Sequence, residues 1–221
     1  MSQAAVVAVY SGEDETFSAD ECFLGLAQRI ASGNTITHVL LKDAGEVVID
    51  PQRCRYTAFI PQPDLFYRAT PGGFRTAPAK TASFPDYPER DLAELLWIAG
   101  HHASNGRLLA GCSKYDVVQL LHWPNLSRLP LTPNTMRLCA FLSRRASAIH
   151  LARKLLGVDE EEAYSFYSAA LSAGALELVS RAPAQNQAEP ESVPDTTPAA
   201  TERHPANRSV LRLLWSKVSR L

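Results

Sequence analysis

The chain has 221 residues, of which 46% are apolar, so it can bury the core of one large domain or of two small ones. Its 22 basic and 23 acidic residues give a formal net charge of -1, which argues against an overall electrostatic grip on nucleic acid. No apolar run approaches the roughly 20 residues of a membrane span, and the N-terminus lacks a signal-peptide pattern. The four cysteines are far apart and have no CxxC spacing, so we expect them to be reduced thiols. We therefore expect a cytoplasmic protein.

Residues 1–68 mix strand and helix signals and predict a small α+β domain of order β-α-β-β-β. Its helix should open at a capping box, in which the Ser18 hydroxyl and the Glu21 carboxylate bind each other's backbone amides. The next two strands are separated by Asp43-Ala44-Gly45, as in a hairpin. The predicted strands are residues 5–10, 36–41, 46–49 and 53–60.

Residues 69–88 are rich in Pro, Gly, Ala and Thr, and we expect a linker there. Residues 89–181 predict a mainly helical domain that ends in one strand. Its clearest start is Thr132-Pro133, a capping residue followed by proline at the first helical position. The predicted helices are residues 88–104, 113–121, 132–145, 147–156 and 159–173, with the strand at 176–179.

Two resemblances bear on this domain. Residues 147–174 resemble a helix-turn-helix, and with residues 132–145 and 176–179 they resemble a winged-helix domain. That fold serves protein contacts as well as DNA reading. In addition, LLHWPNLSRLP followed by AFLSRRASAIHLARKLLGV is similar to proteobacterial sequences that have no assigned activity, which favours a bacterial, non-enzymatic regulator.

The helix at residues 159–173 would be the recognition helix of such a domain. It starts with the four carboxylates of residues 159–162, which would repel phosphates, and residues 159–175 contain no Arg, Lys, Asn or Gln to read bases. The helical periodicity of residues 159–173 predicts which side chains face outward, namely Glu161, Tyr164, Ser165, Ser168 and Ser172. DNA binding would require a single basic face made of Arg128, Arg137, Arg144, Arg145, Arg153 and Lys154. We therefore expect no sequence-specific binding to DNA.

Motifs for catalysis or metal binding are missing from the sequence. Walker A, GxGxxG, GxSxG, HExxH and CxxC do not occur, and Thr70–Gly73 reads as a turn. His101, His102, Cys112, His122 and Cys139 do not have the spacing of a metal site, because neighbouring helical residues point about 100° apart. We expect no enzyme activity, no catalytic or metal-binding residue and no cofactor. Trp123, which precedes Pro124, either anchors its loop against the helices or forms an exposed binding group, and we expect the anchor.

The C-terminal residues complete the prediction. Residues 182–207 contain five prolines and almost no large apolar residue, so we expect a disordered linker. Residues 208–221 form an amphipathic wheel with four basic residues and no acid. Such a short helix needs a surface to fold on, whether a partner groove, an anionic membrane or its own domain. The predicted partner-binding residues are Leu211, Arg212, Leu214, Trp215, Lys217 and Val218.

Together these patterns predict a two-domain adaptor or regulatory protein that lacks enzyme activity. It would bind a protein partner through the winged-helix-like domain and the tethered C-terminal helix. The competing hypothesis is a winged-helix transcriptional regulator that binds DNA.

Overall fold

The computed structural model describes residues 16–79, 87–130 and 132–182. The fold is mixed α+β. The helices are α1 (Phe23–Ala31), α2 (Pro63–Arg68), α3 (Leu92–Ser104), α4 (Pro133–Arg144), α5 (Ile149–Leu156) and α6 (Glu160–Ser172). The strands are β1 (Thr16–Phe17), β2 (Thr37–Leu41), β3 (Gly45–Asp50), β4 (Arg55–Phe59), β5 (Arg75–Pro78), β6 (Arg90–Asp91), β7 (Leu108–Leu109), β8 (Val117–Leu120), β9 (Ser147–Ala148) and β10 (Leu176–Ser180). The strand predicted at residues 5–10 lies outside the described residues.

An antiparallel five-stranded sheet of order β5-β2-β3-β4-β6 carries the first hydrophobic core. The predicted hairpin is confirmed, with Val39 opposite Val47 and positive φ angles at Asp43 and Gly45 in the turn. Gly45 is needed there because a Cβ would lie 2.6 Å from the Phe59 carbonyl oxygen. Alternation along these strands directs their apolar side chains onto α1, α2 and α3.

Three local predictions for this part were wrong. Ser18 makes no side-chain capping bond, because residues 19–21 form a separate 3-10 turn and α1 starts only at Phe23. Residues 75–78, predicted as part of a linker, form the edge strand β5 beside β2. The helix expected from residue 88 starts at Leu92, because Arg90–Asp91 pair with β4 and Asp91 caps α3 by accepting the Ala93 N–H at 3.0 Å.

The second part joins α4, α5 and α6 to an antiparallel sheet of order β10-β8-β9. The predicted start at Thr132 is confirmed, since its hydroxyl accepts the Thr135 N–H at 3.2 Å and Pro133 occupies the first turn. The predicted Gly157 stop is also confirmed, with φ at 64°. The helix predicted from Ser147 starts instead at Ile149, because Ser147 belongs to β9 and pairs with Val118 of β8.

The helix predicted at residues 113–121 does not form. Asp116 Oδ2 accepts the Ser113 N–H at 2.8 Å, which closes a turn rather than opening a helix. The chain then becomes β8, in which Val118 and Leu120 are buried and alternate with partly exposed neighbours. The wrong prediction follows from the side-chain pattern Ser-x-x-Asp, which serves turns as well as helix caps.

Helix α3 connects the two hydrophobic cores. Its residues Leu92, Leu95 and Ala99 pack in the sheet core, whereas Trp97 packs in the helical core against Phe166, with ring centroids 5.7 Å apart. The two cores therefore share one helix. Among the described residues, none of the helices combines the length and the apolar character that crossing a membrane requires.

Candidate functional site

Helix α6, the expected recognition helix, lies inside the fold. Tyr164, Ser165, Ser168 and Ser172 were predicted to face outward, but each is at most 9% exposed. The prediction failed because α3 packs against that face of α6. A Cβ at Gly100 of α3 would lie 2.9 Å from Ser172 Oγ and 3.1 Å from the Ala169 Cα, so a side chain at this position would crowd α6.

The buried serines of α6 are hydrogen-bonded to the chain that follows α3. Ser165 Oγ accepts the Gly106 N–H at 3.1 Å, and Ser168 Oγ accepts the Leu109 N–H at 3.1 Å while donating to the Arg107 carbonyl at 3.0 Å. Buried polar groups are tolerated when they are paired in this way. The small polar face of α6 is therefore an internal packing surface.

Two of the basic residues that DNA binding would need are engaged within the chain. Arg153 forms an ion pair with Glu160, and Arg137 donates to the Asn134 side chain and to the Leu156 carbonyl. The Tyr164 hydroxyl donates to Glu160 at 2.7 Å, and this bond, with the Arg153 charge, holds the pKa of the Glu160 carboxyl below its usual value. The start of α6 thus remains anionic.

A cavity of about 400 Å³ lies between α3, the ends of β4 and β6, and the loop that follows β8. The pairing of β8 with β10 fixes where this loop begins, since the Leu121 N–H donates to the Ala175 carbonyl at 2.9 Å just after β8. The loop then turns back at Asn125, whose carbonyl accepts the Arg128 N–H at 3.1 Å. The cavity has the size of a small-molecule site.

The Glu94 carboxylate is the most buried charged group of the cavity wall. The residue is only 7% exposed. Its Oε1 accepts a long hydrogen bond of 3.4 Å from Asn125 Nδ2 and lies 3.8 Å from the Arg128 guanidinium. The Ser127 hydroxyl donates to Asn125 Oδ1 at 2.8 Å, which turns the amide nitrogen toward Glu94. Oε2 of Glu94 is buried and has no hydrogen-bond partner.

A second acid–base pair lies at the same cavity. Arg55 of β4 is 3.8 Å from Asp91 Oδ2, while Asp91 Oδ1 serves as the cap of α3. Both arginine–carboxylate distances exceed the 2.7 to 2.9 Å typical of a charge-assisted hydrogen bond. The wall therefore carries two positive and two negative charges in loose pairs that a ligand's own charged groups could replace.

Aromatic side chains border the cavity as well. Trp97 is almost fully buried at 2% exposure, whereas Trp123 on the loop is 50% exposed. Trp123 was expected to anchor the loop, and its half-exposed position corrects that expectation. Nearby, burial raises the pKa of the Tyr56 hydroxyl, opposed by Arg90 and reinforced by the Glu94 charge.

The cavity wall presents two carboxylates, two guanidinium groups, one imidazole, one side-chain amide and two indole rings. Among the described residues that line it, there is no serine, threonine, cysteine or lysine to act as a nucleophile. In the described ranges no cluster of three or more His, Cys, Asp or Glu side chains could hold a metal ion. Glu94 was missed in the sequence analysis, although a carboxylate between Leu92 and Leu95 on an apolar helix is a usable signal.

An exposed apolar stripe marks a second surface, on α5. Leu151 is 45% exposed and Leu155 is 61% exposed, four residues apart on one face, whereas Ile149 and Ala152 on the other face are fully buried. Lys154 is exposed between the two leucines. The partner-binding residues predicted from sequence, between Leu211 and Val218, lie outside the described residues.

Comparisons with protein-family models, with curated proteins and with solved structures give no match to this chain. The function must therefore be argued from the two surfaces just described.

Proposed function

We propose that the chain is a non-enzymatic adaptor or regulatory protein that binds a protein partner. The contact is made by the winged-helix-like part, residues 89–181, and by the C-terminal segment, residues 208–221. The exposed pair Leu151 and Leu155 on α5 carries this proposal. Leu151 and Leu155 form a second apolar face beside the one that Ile149 and Ala152 bury, and the core covers only the buried face.

The arrangement of elements supports the winged-helix-like description. Helices α4, α5 and α6 pack around one core and against a three-stranded antiparallel sheet. The central strand of that sheet, β8, precedes α4 in the chain. A trihelical core of this kind serves protein contacts in many proteins.

The same features weigh against DNA reading as the function. Base readout requires a helix whose side chains reach into the major groove. Most of α6 is covered by α3, and the exposed start of the helix carries Glu161 beside Asp159. Arg137 and Arg153 bond to groups of this chain, so these two guanidinium groups would have to give up those bonds in order to contact phosphates.

The charges near the leucine stripe define the chemistry of the partner. Lys154 lies between Leu151 and Leu155, and residues 208–221 contain four basic residues without an acid. A partner segment with apolar anchors bordered by carboxylates complements both surfaces. Trp215 is expected to dominate the C-terminal contact, since buried aromatic residues carry much of the energy of protein interfaces.

Site-specific photo-crosslinking in the native cell tests this function. The full chain carries the photoreactive residue p-benzoylphenylalanine at position 155, or at position 121 as a matched control, since Leu121 is also exposed but lies outside α5. We expect a discrete protein adduct at position 155 only. Adducts to DNA alone, or equal adducts at both positions, would contradict the proposal.

Purified components then test the contact quantitatively. Leu155→Ala should weaken binding of the identified partner about tenfold or more, as for a hot-spot residue, while Leu121→Ala leaves it unchanged. Trp215→Ala should weaken binding by a similar factor. Arg212→Glu with Lys217→Glu should act mainly on the association rate and its salt dependence. Binding of residues 208–221 to anionic liposomes but not to the partner would show a membrane contact instead.

A further inference from the structure

The cavity beside α3 has a role that partner binding through α5 does not explain. Its wall buries Glu94, whose Oε2 has no hydrogen-bond partner and whose Oε1 has only distant ones. Most buried carboxylate oxygens in proteins are hydrogen-bonded, because an unpaired one carries the full cost of desolvation. Oε1, held only by the 3.4 Å bond from Asn125 and the 3.8 Å contact with Arg128, is the carboxylate oxygen that an N–H donor in the cavity would pair.

The charged side chains of the cavity wall restrict the net charge of a ligand that could supply this N–H donor. A simple cation would gain Glu94 but face the guanidinium groups of Arg128 and Arg55, and a simple anion would face Glu94 and Asp91. A molecule with one positive and one negative group meets both pairs with the right sign. The 400 Å³ volume admits such a molecule at the size of an amino acid or a dipeptide.

Trp123 defines the third part of the ligand. Its side chain is 50% exposed on the loop that borders the cavity, so its ring can cover an apolar or aromatic group. Trp97, on α3, contributes a second aromatic side chain to the cavity wall. Both charged and apolar recognition are therefore present at one site.

We propose that this cavity binds a small zwitterion of amino-acid or dipeptide size that has an apolar side chain. Its ammonium group pairs with Glu94, its carboxylate with Arg128 and Arg55, and its apolar side chain contacts Trp123. The site is independent of the partner surface on α5, so either proposal can fail without the other. Occupation of the cavity would make the adaptor responsive to a small molecule.

Calorimetric titration of the full chain with matched compounds tests the ligand class. The probes are L-phenylalanine, L-leucine, L-methionine and the dipeptide Gly-Phe, with phenethylamine and 3-phenylpropanoate as analogues that lack one charge. We expect at least one zwitterion to bind with a dissociation constant below about 1 mM, and each single-charge analogue to bind at least about tenfold more weakly. No binding by any zwitterion would overturn the proposal, as would equal binding of phenethylamine.

Variants of the wall test the assignment of residues. Glu94→Gln keeps the shape but removes the charge, and Arg55→Met changes a half-exposed side chain with little effect on folding. Both should weaken zwitterion binding at least about tenfold. Glu89→Gln is the matched control, because Glu89 pairs with Arg53 away from the cavity wall, and it should leave binding unchanged. Unchanged binding in Arg55→Met and in a folded Glu94→Gln would place the ligand elsewhere and overturn the site.

Discussion

The sheet core and the helical core of this protein are built in different ways. In the sheet core, β2, β3 and β4 follow one another in the chain, and they bury alternate apolar side chains in the core that α1, α2 and α3 complete. In the helical core, α6 depends on α3, whose Gly100 contacts it from some 70 residues earlier in the chain. The pattern of neighbouring residues in the sequence therefore predicts the sheet core well and the helical core poorly.

The contrast has a functional meaning. A serine-rich helix face looks like a solvent-exposed surface when it is read alone. Here Ser165 and Ser168 bind backbone groups of the segment after α3, so this face is internal. The recognition surfaces that we propose are the outer face of α5 and the cavity at Glu94.

The largest expected effect tests whether the two cores unfold together. Phe23→Ala should lower the free energy of unfolding by about 3 to 5 kcal/mol and Leu142→Ala by about 2 to 5, because both side chains are fully buried. Since α3 belongs to both cores, each variant should shift one common transition in thermal unfolding followed by circular dichroism. Leu155→Ala, at an exposed position, should stay within about 0.5 kcal/mol. Two separate transitions, each moved by only one variant, would mean that the cores are independent.

A smaller effect tests the contact between α3 and α6. Gly100→Val should cost up to about 3 kcal/mol of unfolding free energy, because its added atoms would overlap Ser172 and Ala169. Gly72→Val is the matched control, since a Cβ at Gly72 meets nothing within 4 Å. Urea unfolding measures both. Equal stability of the two variants would show that α3 does not press on α6.

The internal role of the α6 serines predicts a further loss. Ser168→Ala removes the acceptor of the Leu109 N–H and should cost about 1 to 2 kcal/mol in urea unfolding. Ser127→Ala, at an exposed loop position, should cost a few tenths of a kcal/mol at most. A neutral Ser168→Ala variant would indicate that this face of α6 is solvated.

The smallest effect concerns pH and belongs to α3. Burial, followed by the charges of His102 and Arg68, lowers the pKa of the His101 imidazole. Between this lowered value and the unfolded value of about 6.5, the unfolded chain binds more protons, so stability rises with pH through that window. Urea midpoints at pH 7.5 and 5.5 should therefore differ less in His101→Gln than in the native chain. An unchanged pH slope would contradict this assignment.

Several local elements could be predicted from sequence because their signals are contained in a few neighbouring residues. Thr132 with Pro133, Gly157 and the Asp43–Gly45 turn each determine their own backbone geometry. Ser113 carries a similar cap-like pattern but closes a turn, because its side chain and that of Asp116 satisfy either structure, and Ser18 precedes a 3-10 turn without a side-chain capping bond.

The candidate sites were harder to foresee. Glu94 and Arg55 are 39 residues apart in sequence and meet only because β6 and α3 return beside β4. The exposure of Leu155 also depends on which face of α5 meets the core, and two apolar faces make that choice ambiguous from the sequence. Only the tertiary structure resolves such features.

The central claim is that α6 is an internal helix and that recognition takes place elsewhere. Amide hydrogen exchange of the full chain, with and without duplex DNA, tests it most directly. We predict that residues 163–171 exchange only through global unfolding, as slowly as the core of α1, and that duplex DNA changes nothing. Faster exchange of residues 163–171 through local opening, or protection of α6 by duplex DNA, would contradict the account.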